Sequence, residues 1–183
     1  MQISRDTFYN LVESGLFDNQ RVELIAGEII AMPPMQNFHF VGVKKTERAL
    51  ESLFGQGYLV RAQGTLDLSP HSVVDPDVAV VEGDLDQQVN QNPTTALLIV
   101  EVSETTLRSD HFIKASLYAA SGIQDYWILN LVDRQLEIYR DPVPDTTAYF
   151  GFSYSTTTIH GIGDSVSPLA MLTGQVTVAS LLP

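Results

Sequence analysis

The chain has 183 residues, no cysteine and a formal net charge of −12. This length fits one domain over residues 1–183, and the lack of cysteine excludes disulfides and thiolate metal sites. The acidity counts against a passive nucleic-acid binder, which usually has a basic surface. It counts less against a metal-dependent nuclease, because bound cations cancel part of the local charge.

Neither a membrane span nor a targeting signal is indicated. The first six residues lack the basic and apolar regions of a signal peptide. The longest apolar run, residues 96–100, has the length of a strand, whereas a membrane helix needs roughly 20 residues. We therefore expect a cytoplasmic protein with no membrane association.

The N-terminal part of the chain predicts two helices and a hairpin. Ser4 is a plausible cap for a short helix that ends at Glu13. Residues 21–32 form two apolar runs around Ala26-Gly27, which predicts a hairpin that Pro33-Pro34 terminates. Apolar residues spaced by four and seven predict a helix over residues 37–54, and one or two strands are expected within residues 58–68.

The rest of the chain predicts a sheet with a crossover helix. The predicted strands cover residues 77–81, 97–102, 126–129 and 134–140, with a surface loop over 82–93 and a helix over 110–121. The strand 97–102 is apolar on both faces, as a strand covered on both sides should be. The helix should turn Ile113, Leu117 and Ala120 inward, the strand 134–140 should be half-exposed, and the tail from Asp141 should be of β character.

Glu101 is the most informative residue, because it interrupts an apolar strand. A buried carboxylate must be protonated, paired or bound to a cation; the alternative is that the strand ends at Val100 and Glu101 lies in solvent. Asp77 begins the strand after Pro76, where an aspartate is usually only a turn residue. Together the two carboxylates could bind Mg²⁺, which prefers oxygen ligands.

Two further charged residues could join this pair. Lys114 borders the buried face of the helix that follows the Glu101 strand, where an ammonium could orient water or stabilise charge. It could instead form only a weak surface pair with Asp110. Glu23 could supply a carboxylate to the water shell of a metal, or be an ordinary exposed strand residue.

The histidines do not predict a zinc site, because all four are scattered along the sequence. His39 is on the apolar face of its helix, where a lone histidine is more often part of the core than a ligand. Gln63 could point either way from its strand. No nucleophile elbow, phosphate-binding loop, dinucleotide fingerprint or H-E-x-x-H motif is present.

An ordered set of motifs resembles one known family. It comprises the hairpin Arg21–Ile30, Pro76-Asp77 opening one strand, Glu101-Val102-Ser103 closing the next, Asp110 with Lys114 on the following helix, and Gly122–Ile128 after it. This set is similar to the Uma-type (Uma-two) family of restriction-type endonucleases in the PD-(D/E)xK nuclease superfamily. His39 matches the histidine at the start of that family's next helix.

The resemblance implies a restriction-endonuclease-like α/β (α+β) fold, a mixed β-sheet flanked by helices. It implies Mg²⁺- or Mn²⁺-dependent hydrolysis of DNA. Asp77, Glu101 and the backbone carbonyl of Val102 would be metal ligands, Lys114 the catalytic lysine and Glu23 an accessory carboxylate. His39, Gln63, Ser103 and Asp110 would be accessory residues.

One position departs from the superfamily pattern. Ser103 stands where the lysine of E-x-K would be, and a serine cannot supply a positive charge. The resemblance implies that Lys114 has taken over this role. The cations available for DNA are Arg21, Lys44, Lys45, Arg48, Arg61 and Arg108, and Lys44, Lys45 and Arg48 are the only cluster among them.

Three functions fit these observations. The first is a DNA endonuclease, expected to be a homodimer by analogy, since cutting two strands needs two cuts. The second is a catalytically silent module of the same fold that binds a protein partner, which the acidic charge favours. The third is a metal-dependent hydrolase of RNA or nucleotides.

Overall fold

A six-stranded mixed sheet forms the centre of the structure, a computed structural model that describes residues 2–183. The helices are α1 (Arg5–Glu13), α2 (Asn37–Phe54), α3 (Leu107–Ser109), α4 (Ala115–Ala120) and α5 (Val178–Leu181). The strands are β1 (Val22–Ile25), β2 (Glu28–Ala31), β3 (Tyr58–Ala62), β4 (Leu66–Ser69), β5 (Ser72–Val74), β6 (Val78–Glu82), β7 (Leu98–Ser103), β8 (Asp125–Asn130), β9 (Gln135–Pro144), β10 (Phe152–His160), β11 (Ser165–Val166) and β12 (Val176–Thr177).

The main sheet has the order β10-β9-β8-β7-β6-β3. β7 and β8 run parallel, and α3, α4 and the turn between them form the connection that parallel strands require. The other neighbouring pairs are antiparallel. A second sheet, β2-β1-β5-β4, contains the N-terminal hairpin.

Each face of the main sheet has its own apolar core. Val43, Leu50 and Phe54 of α2 pack on one face, together with residues of the C-terminal segment 166–182. Leu117 and Tyr118 of α4 pack on the other face. The predicted helix 37–54 and the two-sided burial of the strand ending near Glu101 are therefore confirmed, as is the predicted mixed sheet flanked by helices.

The helix after β7 differs from its prediction. It begins at Leu107, and residues Asp110–Lys114 form a π-helical turn between α3 and α4. A π turn contains one residue more than the α-helical period allows, so it rotates every later side chain about the axis. In α4, Leu117 is buried as predicted, but Ala120 faces solvent, and Tyr118 and Ala119 are buried instead of it.

The remaining differences concern strands. β5 was not predicted. β9 extends to Pro144, and Glu137 on its predicted solvent face is buried beneath His111 of the π turn. The tail forms β10 as the edge of the main sheet, followed by the small pair β11 and β12, in line with its predicted β character. Among residues 2–183, no helix is long and apolar enough to cross a membrane.

Candidate active site

Asp77 and Glu101 meet because β6 and β7 pair with Val78 opposite Val100. This register places the residue before β6 beside the end of β7. The backbone N–H of Asp77 lies 3.5 Å from Glu101 Oε2. Asp77 Oδ2 accepts a hydrogen bond of 2.8 Å from the backbone N–H of Val102, so the aspartate is fixed against the strand that holds the glutamate.

Glu101 is 3% exposed, which excludes the alternative that it lies in solvent. Its Oε1 accepts hydrogen bonds from Lys114 Nζ at 2.9 Å and from the Tyr118 hydroxyl at 2.5 Å. Both donors bind the same oxygen. Oε2 therefore remains on the side of Asp77.

The π turn brings Lys114 to the carboxylates. Lys114 is 5% exposed, and its Nζ lies 2.9 Å from Glu101 Oε1 and 3.4 Å from Glu23 Oε1. The predicted alternative, a weak surface pair with Asp110, is wrong, because both residues are buried. A buried ammonium between two carboxylates is stabilised by them and holds them together.

Glu23 is brought in by the second sheet. It is 1% exposed on β1, which excludes the exposed-strand alternative. Its Oε1 accepts a hydrogen bond of 2.9 Å from the backbone N–H of Asp75. Its other oxygen, Oε2, is buried and has no partner among residues 2–183. Such an oxygen needs a water or a cation, since a buried carboxylate oxygen without a partner is costly.

His39 reaches the site from α2. Its Nε2 lies 3.0 Å from Asp77 Oδ2, so it is not simply a core residue. Gly42, one turn later, faces β7 so closely that an added Cβ would lie 2.9 Å from Val102 Cγ1. The absence of a side chain at Gly42 therefore lets α2 approach the strand that holds Glu101.

The other accessory candidates lie further from the carboxylate pair. Asp110 is buried, and its Oδ2 accepts a hydrogen bond of 2.7 Å from the Thr106 hydroxyl. The Ser103 hydroxyl lies 3.4 Å from the same Thr106 oxygen. Gln63 donates its backbone N–H to the Asp77 carbonyl at 3.1 Å, while its side-chain amide approaches the sulfur of Met35 at 3.9 Å.

These residues surround a cavity of about 460 Å³. Glu23, Asp77, Glu101, Asp110, Lys114 and His39 line it, together with an apolar wall that runs from Ile30 to Met35. Of the predicted site residues, six therefore line one cavity: Asp77, Glu101, Lys114, Glu23, His39 and Asp110. Ser103 and Gln63 do not line it.

The cavity has an excess of negative charge, and the pKa values reflect it. Burial raises the pKa of Glu101 to about 8; the Lys114 charge opposes this rise, and the Asp77, Asp110 and Glu23 charges add to it. Burial also raises the pKa of Asp110, again against the Lys114 charge. A cation bound near these carboxylates would offset both the cost of burying their negative charge and the repulsion between them.

The pKa values of the basic side chains Lys114 and His39 are raised as well. Burial acts to lower the pKa of Lys114, but the charges of Glu101 and Glu23 outweigh it and hold that pKa well above its ordinary value. Burial likewise acts to lower the pKa of His39, but the hydrogen bond and charge of Asp77 outweigh it and raise that pKa. Lys114 is therefore a permanent cation at neutral pH.

The donor set fits a hard divalent ion that keeps much of its water. No group of three or more histidine, aspartate or glutamate side chains within residues 2–183 is arranged to hold a metal by itself. A backbone oxygen can add to the two carboxylates. The N–H and C=O of one strand residue point to the same side, so the Val102 carbonyl faces the side on which its N–H meets Asp77.

The predicted basic cluster does not belong to this site. Lys44 pairs with Glu47, and Lys45 donates to the Leu182 carbonyl at 2.6 Å. Neither Lys44, Lys45 nor Arg48 lines the cavity. Apart from His39, which faces Asp77, the cations that line the cavity within residues 2–183 are Arg21 and Lys114, and Arg21 lies 3.8 Å from the Asp75 carboxylate.

Tyr118 is a site residue that the sequence analysis missed. It is fully buried, and burial together with the Glu101 charge raises its pKa well above the ordinary value, so its hydroxyl remains a donor. Its position four residues after Lys114 could have signalled a shared face. The π turn, which sets that face, left no recognisable pattern in the sequence.

Comparisons with known proteins identify the family and the fold of the chain. A family model, Uma2, described as "Putative restriction endonuclease", matches residues 6–179. A crystal structure from Anabaena variabilis ATCC 29413, described as a "putative nuclease belonging to DUF820", is similar with a TM-score of 0.69 and 15% sequence identity. The similarity covers 98% of this chain and 97% of that chain, and at this identity it shows the fold. No curated protein matches the chain.

Proposed function

Because the chain belongs to the Uma2 family of restriction-type endonucleases, we propose that it is a Mg²⁺- or Mn²⁺-dependent endonuclease that hydrolyses phosphodiester bonds in DNA. One observation carries this proposal. The buried carboxylate of Glu101 lies beside the half-buried Asp77, and the buried ammonium of Lys114 is 2.9 Å from Glu101. Carboxylates hold a divalent ion, and an ammonium can stabilise the charge that develops on a phosphate.

Asp77, Glu101 and the Val102 carbonyl are the proposed ligands. Glu101 offers Oε2, because Lys114 and Tyr118 occupy Oε1. Asp77 is held in place by Val102 and His39 through its Oδ2. A bound Mg²⁺ would supply Lewis acidity and make a water molecule more acidic.

Hydrolysis forms a bond from a water oxygen to phosphorus and breaks a phosphorus–oxygen bond to the sugar. The attacking water loses a proton, and Glu23 Oε2, which has no partner within residues 2–183, is the proposed acceptor. The departing sugar oxygen takes a proton from bulk water. Lys114 remains charged throughout, because its pKa is held well above the ordinary value, so it orients and stabilises and does not act as a base.

The proposal is tested by nicking of supercoiled plasmid with Mg²⁺ or Mn²⁺. We expect Asp77→Asn, Glu101→Gln and Lys114→Met each to reduce the nicking rate by about 100-fold or more. Asp164→Asn is the matched control, because Asp164 is exposed and outside the cavity lining. If the wild-type protein leaves varied DNA substrates intact with either ion, the enzymatic proposal fails.

Two other functions remain as candidates with specific support. The volume of the cavity suits hydrolysis of RNA or nucleotides, which a substrate panel distinguishes from DNA cleavage. The net charge of −12 suits a silent module that binds a protein partner, and such a module should bind no divalent ion. A homodimer is proposed for a duplex substrate, since one site makes one cut.

A further inference from the structure

Arg21 is the most exposed basic side chain of the cavity lining among residues 2–183. Its side chain is 45% exposed, against 21% for that of His39 and 6% for that of Lys114. The other cations considered for DNA do not line the cavity: Lys44, Lys45, Arg48, Arg61 and Arg108. A substrate phosphate at the mouth of the cavity can therefore reach Arg21, while Lys114 is accessible only from inside.

The strand that follows Arg21 places it beside the proposed catalytic groups. The Met32 N–H donates to the Arg21 carbonyl at 2.9 Å, which extends the pairing of β1 with β2 by one residue. Side chains two residues apart on a strand point to the same side, roughly 7 Å from each other, so Arg21 and Glu23 share a side. Both line the cavity, and Glu23 Oε1 lies 3.4 Å from Lys114 Nζ. Arg21 is thus one step outward along β1 from the groups proposed to face the cleaved phosphate.

The contact between Arg21 and Asp75 does not use the hydrogen-bonding capacity of the guanidinium. The two charged groups are 3.8 Å apart, which is beyond hydrogen-bond distance. Asp75 already accepts a hydrogen bond of 2.7 Å from the Thr65 hydroxyl. Partly exposed ion pairs of this kind contribute little to stability, because water screens them. A phosphate offers the guanidinium two parallel hydrogen bonds, which the contact with Asp75 does not provide.

We propose that Arg21 binds the phosphate next to the one that is cleaved, and that it exchanges its contact with Asp75 for a bidentate pair with that phosphate. This inference rests on the proposed function and narrows the substrate to a strand with at least two successive phosphodiester linkages. The pair involves only the backbone of the nucleic acid, so it fixes the position of the strand and does not read its sequence. A substrate with a single phosphodiester lacks the partner of Arg21.

The first experiment compares Arg21→Gln with the wild type on a labelled DNA that the wild type cleaves in Mg²⁺, at several salt concentrations. We expect KM to rise by about 10-fold with kcat unchanged, because charge-assisted hydrogen bonds to the substrate are lost. The slope of log KM against log salt concentration should become shallower by about one, since one phosphate contact is lost. Arg5→Gln is the matched control, because the Arg5 side chain is 37% exposed and also 3.8 Å from an aspartate, Asp67, but does not line the cavity.

The outcomes separate this inference from the proposed function. An unchanged KM and salt slope in Arg21→Gln would overturn the inference and leave the proposed nuclease intact. Equal losses in Arg21→Gln and Arg5→Gln would also overturn it, because they would reflect only the total charge of the protein. A wild type that cleaves no DNA would overturn both the inference and the proposed function.

A second experiment changes the substrate instead of the protein. An uncharged methylphosphonate replaces the phosphate linkage on one side or the other of the mapped cut. At one of these two linkages we expect the wild type to lose about 10-fold in kcat/KM and Arg21→Gln to lose nothing further, because the variant already lacks that contact. Additive losses at both linkages would show that Arg21 acts only on the structure of the protein, and the inference would fail.

Discussion

The Tyr118 hydroxyl lies 2.5 Å from Glu101 Oε1, the same oxygen that Lys114 Nζ contacts at 2.9 Å. Two donors on one oxygen fix the plane of the carboxylate. The second oxygen is thereby directed to Asp77, whose backbone N–H is 3.5 Å away. The orientation of the proposed ligand is thus set by side chains of the helix packed on the sheet.

Removing the Tyr118 hydroxyl should weaken metal binding without leaving a cavity in the core. Tyr118→Phe keeps the ring and deletes one hydrogen bond to a buried carboxylate, which is worth about 1.5–3 kcal/mol. We expect the Kd for Mn²⁺, measured by calorimetry, to rise by about 10-fold. Tyr154→Phe is the control, because its hydroxyl donates to the Ile123 carbonyl at 2.9 Å and touches no carboxylate of the cavity. An unchanged Kd in Tyr118→Phe would show that the hydroxyl does not orient Glu101.

Lys114 and Glu101 should be strongly coupled in stability. Lys114→Met leaves buried carboxylates without their cation, which costs about 3–5 kcal/mol of unfolding free energy. Glu101→Gln in the same chain removes the charge that was left unpaired, so the double variant should be more stable than the sum of the single losses predicts. Urea unfolding of the wild type, both single variants and the double variant gives the coupling. Strictly additive losses would contradict a direct interaction.

Divalent ions should stabilise the folded chain. A ligand that binds only the folded state at 100 times its Kd adds about 2.7 kcal/mol. We expect the thermal midpoint to rise with Mg²⁺ or Mn²⁺ in the wild type and to stay constant in Asp77→Asn. Na⁺ at equal ionic strength is the control for screening. No shift with either divalent ion would favour the silent protein-binding module.

Glu137 should make stability depend on pH at the acidic end. Burial acts to raise its pKa, but hydrogen bonds from Asn130, Tyr139, Gln135 and His111 outweigh it and lower the pKa from the ordinary 4.5. Because the pKa of Glu137 is lower in the folded than in the unfolded chain, its ionised form stabilises the fold above pH 4.5, and this contribution is lost as the pH falls through the pKa of the folded state. The difference in unfolding free energy between the wild type and Glu137→Gln, measured with urea, should therefore become smaller from about pH 7 to about pH 3. A difference that grows in acid would contradict the assigned direction.

A side chain at position 42 should push α2 away from β7. The Cβ of Gly42→Ala would lie 2.9 Å from Val102 Cγ1, and overpacking of this kind costs about 1–3 kcal/mol. We expect a lower thermal midpoint and weaker Mn²⁺ binding, because α2 also holds His39 against Asp77. Gly163→Ala is the matched control, since nothing lies within 4 Å of its Cβ. Equal changes in thermal midpoint and Mn²⁺ binding for Gly42→Ala and Gly163→Ala would show that the close approach of α2 to β7 plays no role.

The sequence predicted those features that depend on local periodicity. The helix 37–54 and the apolar strand that contains Glu101 repeat at characteristic spacings, and both are confirmed. The fold was also predicted from the ordered motifs, and the family match and the structural similarity confirm it. The roles of the individual site residues stay predictions, although most of those residues do meet at one cavity.

Features that depend on contacts between distant segments were missed. The burial of Glu137 comes from His111, which is 26 residues away in sequence. The basic cluster on α2 was predicted from adjacency, but Lys45 turns to the C-terminal segment at Leu182. The π turn escaped prediction because no residue pattern distinguishes it from a continuous helix, yet it decides where Lys114 lies.

That turn sets the register of the core and of the site together. Leu117 and Tyr118, which pack α4 on the sheet, directly follow residues 110–114, which bring the Lys114 ammonium to Glu101. Excising one residue from this turn would restore an ordinary α-helical spiral and rotate the segments on its two sides by about 100° relative to each other. A gain or loss of one residue there would therefore disturb both the packing of α4 and the contact between Lys114 and Glu101.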